Sequence, residues 1–378
     1  MAAEAIQIRE VMDAADMRAW LALPRELFAS DPAWIAPLDI AERQRLSPKA
    51  PIRGFGEVAL FLALRDGQAV GRISAQVNRR HLAEHHDGTG HFGFFDCAHD
   101  TVAAHALVDA AATWLKARGM TRMAGPFNFT INEECGCLVE NFAESPVVMM
   151  PHAAPHTGRL LEDSGLEKAM DLHSYRCTAD VIPRLRRLAA PAARFSKVRV
   201  RPLDLKHYGA EVRLLVDIFN DSWRGNWGFV PLGDEEARHM ASELRPVLRA
   251  DYGRVLLLDE EPVGIMVAIP DINGMTADFA GRLLPFNWAK LALRLLRRRE
   301  RGARVLLLGL RQRVQSSPLA GALLALLVTD LIQQGSLSRL DWVDFSWILE
   351  TNARMNSFAR RIAGPPYKTH RLYAKALA

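Results

Sequence analysis

An α/β chain on a mixed sheet, folded as two tandem domains of one plan, is what the sequence predicts, and three observations carry the prediction. The chain has 378 residues, about twice a common domain. Segments with apolar residues at alternate positions follow segments with apolar residues at helical spacing. The order of these segments in the first half returns in the second, which places the domains at residues 1–182 and 183–378.

A strand near Ile6 to Val11 opens the first half, and a helix follows from about Asp16 to Ala29. Ala59 to Leu64 and Ala69 to Val77 form a hairpin, because Asp66-Gly67 supplies the positive φ angles of a tight turn. His91 to Phe95 is a strand feeding a long helix, Thr101 to Arg118, with Gly119 as its C-cap. Arg122 to Phe129 reads as a further strand, ahead of Arg159 to Lys168. The domain boundary falls in Val181 to Lys197, where Pro183, Pro191 and basic residues interrupt periodicity. From Val198 to Leu203 the order restarts with a strand, then helices over Tyr208 to Trp223 and Asp234 to Leu248. Arg254 to Leu258 and Val263 to Ile269 pair as a hairpin, Arg304 to Leu310 is a strand, and Leu319 to Gln334 is a helix ending at Gly335. Leu340 to Trp347 is the next strand; a short basic helix and a tyrosine-bearing strand close the chain.

Forty-nine per cent hydrophobic and 24% charged residues describe an ordinary globule. The net charge of +5 favours anionic partners without choosing among nucleic acid, lipid head groups and phosphorylated cofactors; no P-loop or G-x-G-x-x-G is found, and no nucleic-acid partner is expected. With no basic stretch leading into an apolar run at the N-terminus and no eighteen-residue apolar run, a cytoplasmic protein is expected. Cys97, Cys135, Cys137 and Cys177 lack zinc spacing, so reduced thiols and no metal are expected. His81-Leu-Ala-Glu84-His85 matches an inverted zinc-protease signature, yet it follows a strand and precedes Asp87-Gly88, which argues against the helix that motif needs. His81 stands instead as a polar pocket residue.

The order helix, hairpin, central strand, long helix, strand, helix and strand resembles the Gcn5-related N-acetyltransferase (GNAT) fold. In that fold the fourth strand runs into a loop and helix whose free N–H groups hold the pyrophosphate of coenzyme A. The resemblance therefore implies an acyl-CoA site at Arg311, Arg313, Gln315, Ser316, Ser317 and Gly321, with a backbone N–H near Leu310 as oxyanion donor. Gln315-Ser-Ser-Pro-Leu-Ala320-Gly321 departs from the usual Gln or Arg, two residues, Gly, one residue, Gly or Ala, so these contacts rest on position. The first-half counterpart, Asp96-Cys-Ala-His-Asp100, has no glycine and two acids and is expected to repel a pyrophosphate. Asn352 matches the Asn that caps the helix after the fifth strand. Where that fold often places a tyrosine to protonate the leaving thiolate, this chain has Ala359; Tyr367 and Tyr373 are the nearby alternatives.

A narrower resemblance runs from Asp31 to Tyr373. Asp31-Pro-Ala-Trp-Ile-Ala-Pro37, Gly71-Arg-Ile73 with Asn78 and His81, Gly90-His-Phe-Gly-Phe-Phe95 and Gly125-Pro-Phe-Asn-Phe129 carry its first half. Asn220-Asp-Ser-Trp223, Asn226-Trp-Gly-Phe-Val-Pro231, Ser346-Trp-Ile-Leu-Glu-Thr-Asn352 and Tyr367-Lys-Thr carry its second. Together they resemble the bacterial ceramide synthase family. The resemblance implies an acyltransferase joining a long-chain acyl group from coenzyme A to a sphingoid amine such as 3-oxosphinganine. Amine attack on a thioester needs a base, and Asp344, Glu350, Asp96 and Glu134 are the candidates, with Tyr373 as candidate acid. Trp223, Trp227 and Phe229 are candidates to line an apolar channel, and Asn220 and Asn226 to bind the polar head; Asn128, among polar groups in an otherwise apolar strand region, is a candidate for a substrate pocket shared between the domains. The rival readings are a tandem acyltransferase for a small amine, aminoacyl acceptor or protein, and a non-catalytic lipid-binding module.

Phe286 to Arg304 lies in a stretch with seven basic residues and Glu300, which leaves the rest of the chain near neutral. On a helix Trp288, Leu291 and Leu295 share one face and Arg294, Arg298 and Arg301 another. Such a segment suits a peripheral contact with an anionic membrane, on the cytoplasmic face of the inner membrane.

Overall fold

A computed structural model describes residues 5–334 and 336–377; Gly335, expected to end a helix, lies outside them. The strands are β1 (Gln7–Glu10), β2 (Gly56–Arg65), β3 (Gln68–Asn78), β4 (Thr89–Cys97), β5 (Arg122–Gly125), β6 (Cys137–Leu138) and β7 (Glu167–Cys177), then β8 (Val198–Pro202), β9 (Gly253–Leu258), β10 (Glu261–Pro270), β11 (Gly302–Leu310), β12 (Trp342–Leu349) and β13 (Lys368–Ala376).

Contacts divide the chain into two compact units: Met1–Leu172 with Thr276–Asn287 and Lys368–Ala378, and His173–Met275 with Trp288–Tyr367. This division differs from a single cut at 182/183. The last strand leaves the second half of the sequence and joins the sheet of the first unit, in the order β1-β2-β3-β4-β5-β13. The second unit carries β12-β11-β10-β9-β8. In each unit one neighbouring pair is parallel, β4 with β5 and β11 with β12.

Alternation along the strands gives each sheet two apolar faces. In the first unit Ile73, Ala75 and Phe92 pack with Leu107, Val108, Ala111 and Leu115 of the helix Thr101–Lys116. Leu60, Leu62 and Phe94 pack with Trp20 and Leu23 of the helix Ala14–Leu27. In the second unit Leu256, Met266 and Val305 join Leu323, Leu327 and Leu331 of the helix Ala320–Gln334. Val255, Ile265 and Val267 join Leu215, Ile218 and Phe219 of the helix Tyr208–Trp223.

The β2–β3 turn has positive φ at Asp66 and Gly67, as the Asp-Gly pair predicts. Three expectations are corrected. His81 to His85, expected not to be helical, lies in the helix Arg79–His85, capped by Asn78. The strand from Arg122 stops at Gly125 rather than Phe129, and the chain beyond it turns back through an isolated bridge between Phe127 and Cys135. The boundary stretch, read as having its periodicity interrupted, contains a helix, Ile182–Ala193, whose Leu185, Ala189 and Ala192 enter the second core. Pro183 falls in its first turn, where a missing N–H costs nothing. All four cysteines are free and buried, and burial pushes the thiols of Cys97, Cys137 and Cys177 up to about 12.

Candidate active site

In the second unit β11 and β12 pair in parallel from Gly302↔Trp342 to Val305↔Phe345, and no further. At that point β11 bulges. Against β10 the register passes from Ala268↔Val305 to Val267↔Leu307, leaving Leu306 as the extra residue. A bulge bends its strand and re-aims the residue it leaves unpaired. Beyond it, Leu306, Leu307, Trp347 and Ile348 are half-buried, so two strands diverge without closing over one another.

Val343 and Phe345 face the core beneath the helix Ala320–Gln334, so Asp344, between them, faces the opposite side. It lies level with Arg304 in the register and is fully buried. Ser346 Oγ and Tyr367 OH both donate to its carboxylate. Arg304 donates to the Ser346 carbonyl at 3.3 and 3.2 Å, and Arg176 donates to Tyr367 OH at 2.9 Å while its guanidinium lies 4.2 Å from the Tyr367 ring centroid. Burial pushes the Asp344 carboxyl up, against the two hydroxyl donors and the Arg304 and Arg176 charges, which hold it down.

The loop after β11 is positioned by its own side chains. Arg311 donates to the Pro262 carbonyl at 3.0 Å and pairs with Asp217 at 2.5 Å, and Arg313 pairs with Glu261. Both guanidinium groups therefore carry acidic partners already. Gln315 Nε2 donates to the carbonyls of Ser222 and Leu310, each at 2.8 Å, which ties the loop to the end of β11. Ser317 Oγ accepts the Leu319 N–H at 3.2 Å. Ser316 and Gly321 are exposed, and a Cβ on Gly321 would meet nothing within 4 Å. Arg354, which sequence reasoning missed, donates to the Gln315 carbonyl at 2.9 Å.

Asn352 caps the helix Ala353–Ala363, its Oδ1 accepting the Met355 N–H at 3.1 Å. Ala359 is packed in the core, and Glu350 is half-buried with its carbonyl toward Asn356 Nδ2. Asn356 was also missed. Buried, it accepts from Tyr175 OH at 2.8 Å and donates to the Leu349 carbonyl at 2.8 Å, which fixes the end of β12. Asn220 spends both ends of its amide on the Leu232 backbone, at 3.0 and 2.9 Å, so it braces the loop and presents no free head-binding group. Trp223 lies over Gly309 of β11, where a Cβ would come within 2.5 Å of the ring. Phe219 packs tilted against Trp223 and edge-on to Phe229, at 4.8 and 5.4 Å between centroids, making an apolar wall beside β11. Asn226 and Trp227 are half-buried in the loop that follows.

The first unit has the same device, filled by its own chain. β4 and β5 pair only from Thr89↔Arg122 to His91↔Ala124, and β4 bulges between Gly93 and Asp96. Phe127 N–H donates to the Phe92 carbonyl at 2.7 Å, and a Cβ on Gly93 would lie 1.8 Å from the Phe127 oxygen. Asn128 Oδ1 accepts the Phe94 N–H at 2.8 Å and its Nδ2 donates to Glu134, itself paired with Arg45 at 2.9 Å. At the following helix Asp100 takes the Val102 and Ala103 amides, occupying the place of an anion. Asp96 pairs with Arg72 at 2.7 Å, and Arg72 lies over Trp20.

His81 bonds Asp87 at 3.2 Å and contacts the His85 and His91 rings; burial lowers His81 and brings His91 down to about 3. Tyr373 lies level with Gly125 in the core of the first unit, its hydroxyl against Gly158. Glu134, Asp96, Asn128, His81 and Tyr373 thus belong to the first unit, and the remaining candidates to the second. Among the described residues no group of three or more His, Cys, Asp or Glu is placed to hold a metal ion.

No family model matches the chain. It is 38% identical to the bacterial ceramide synthase of Caulobacter vibrioides, over 98% of each chain. It is 36% identical to the Escherichia coli protein YghO, over 98% of this chain and 95% of the other. Among solved structures, the tandem GNAT protein from the clavulanic acid biosynthesis pathway superposes over 99% of both chains with a TM-score of 0.55 at 10% identity. A GCN5-related N-acetyltransferase from Sphaerobacter thermophilus covers 98% of this chain and 96% of its own, with a TM-score of 0.53 at 13% identity. At those identities the likeness is one of fold: the chain has the tandem GNAT fold.

Proposed function

The chain belongs to the bacterial ceramide synthase family, and from that premise we propose that this acyltransferase joins a long-chain acyl group from coenzyme A to the amine of a sphingoid base, in the cleft where β11 and β12 part. One observation carries the placement: the Leu306 bulge falls where the parallel pairing ends, and the flanking residues are half-buried. The matching cleft of the first unit is occupied by Phe127 and Asn128, which supports the second unit as the one that takes the thioester.

The amine nitrogen attacks the thioester carbon; a C–N bond forms, the C–S bond breaks, and the nitrogen loses a proton as the thiolate gains one. Asp344 takes the proton from the amine, its raised carboxyl pKa suiting it to accept. Tyr367, bonded to the same carboxylate, gives its proton to the thiolate as it takes the Asp344 proton, because burial and the carboxylate hold its hydroxyl well above the usual tyrosine range; both groups end as they began. The backbone N–H at Leu306 faces the oxyanion, since a bulge frees the group from the ladder. The diphosphate rests at the open N-terminus of the helix Ala320–Gln334, beside Gly321 and Ser316. Trp223 and Phe229 form the wall for the alkyl chain.

Mass spectrometry of purified protein incubated with acyl-CoA donors and amines tests the reading. An N-acyl product from a long-chain donor and a sphingoid amine is expected. Product only from acetyl-CoA and small amines would replace the substrate class, and binding of coenzyme A without turnover of any amine would overturn the reading.

A further inference from the structure

Among the described residues nine large apolar side chains are exposed, and five of them fall between positions 284 and 296. Phe286 is 80% exposed, Trp288 55%, Leu293 46% and Leu296 82%. In the helix Asn287–Leu296, at about 100° per residue, Trp288, Ala292, Leu296, Ala289 and Leu293 occupy a continuous arc of about 140°. Every residue in that arc is apolar and exposed. The protein-facing side is made by Leu291, Arg294 and Leu295, all half-buried. This revises the face expected from spacing: Leu291 and Leu295 turn inward, and Trp288 stays at the edge of the exposed arc.

Charge sits directly after the helix. Arg298 pairs with Asp251 at 2.6 Å and Arg301 with Asp341 at 2.7 Å. Arg297 and Arg299 are exposed and have no side-chain partner among the described residues. Between them and Arg301, Glu300 is buried and takes Arg249 at 2.7 Å, Tyr252 OH at 2.6 Å, and Arg339. Arg249 also donates to the Leu295 carbonyl at 2.7 Å. The segment is therefore bolted at its base, and presenting the apolar arc costs no ordering entropy.

From this we infer that the helix Asn287–Leu296 lies on an anionic phospholipid surface, with Trp288, Leu293 and Leu296 among the acyl chains and Arg297 and Arg299 on head-group phosphates. An exposed apolar arc edged by unpaired cations matches such an interface in both its layers. The inference shares with the proposed function only the idea that the amine is a lipid, which would be taken up from the surface.

Co-sedimentation of the full chain with vesicles tests it. Binding is expected to vesicles containing phosphatidylglycerol, weaker in high salt and weaker still on phosphatidylcholine alone. Arg297→Gln with Arg299→Gln should reduce affinity about thirtyfold, at ~1 kcal/mol per cation. Leu293→Asp with Leu296→Asp should abolish binding, with an unchanged melting temperature and unchanged turnover of a short-chain, water-soluble amine. Failure of the wild type to sediment, or variants that sediment equally, would overturn the inference. So would a dimer that the two aspartates dissociate in the absence of vesicle binding, because the arc would then cover a second copy. Vesicle binding that follows the variants in a protein without turnover of any amine supports the helix and removes the acyl-transfer reading alone.

Discussion

Asp344 ties stability and activity to pH in opposite senses. Burial raises its carboxyl above the ordinary value, so the folded state binds the proton more tightly than the unfolded chain. Its contribution to stability is greatest below the unfolded pKa of about 4 and declines as pH rises through the folded value. A base must be ionised, so kcat/KM climbs over the same window. Asp344→Asn is expected to lower kcat by about 10²–10⁴-fold and to flatten that limb of the profile, while the melting temperature at neutral pH holds or rises. Full kcat would remove Asp344 from the mechanism. Gly321 permits a cleaner test of the donor site, because nothing occupies the space where its Cβ would be. Gly321→Glu favours the helix by placing an acid in its first turn and sets a carboxylate where a diphosphate is proposed. A KM for acyl-CoA raised roughly tenfold or more, with kcat little changed, is expected; an unchanged KM would move the diphosphate elsewhere. Asn352 was legible because a cap is a local contact, three residues from the amide it takes. The Asp344–Tyr367 bond spans 23 residues, and no local pattern announces it.

At the scale of elements, two copies of one device have diverged. Both units part a parallel strand pair beside a bulge, and the first fills the gap with its own backbone and Asn128. Asn128→Ala would leave the Phe94 N–H without its acceptor and take a donor from Glu134. A loss of about 1–3 kcal/mol in urea unfolding is expected, with the kinetic constants for acyl-CoA unmoved; a raised KM would bring the first unit into the binding site. The hairpins and long helices were legible because their period and turn residues are set within a few positions. The helix Ile182–Ala193 was not, since Pro183 and Pro191 read locally as breakers, whereas Leu185, Ala189 and Ala192 keep one face apolar. Nor was the reversal after Gly125 legible, because it depends on pairing of Phe127 with Phe92, a contact outside any window of periodicity.

For the whole molecule, the position of β13 decides what can be separated. Tyr373↔Gly125 and Ala374↔Ala124 place it on β5 of the first unit, with Leu372 and Tyr373 fully buried. Removing residues 368–378 should therefore unfold the first unit, read as rapid proteolysis within residues 56–125, and not merely shorten the second. A truncated protein that resists protease there would show β13 to be dispensable. The repeat of elements along the sequence suggested two halves that each close on themselves; strand exchange is invisible to such a comparison, because the exchanged strand keeps its place in the order. During synthesis the consequence is one of timing. The sheet of the first unit waits, one edge bare, until Lys368–Ala376, more than two hundred residues downstream of Gly125, has been translated and has emerged from the ribosome.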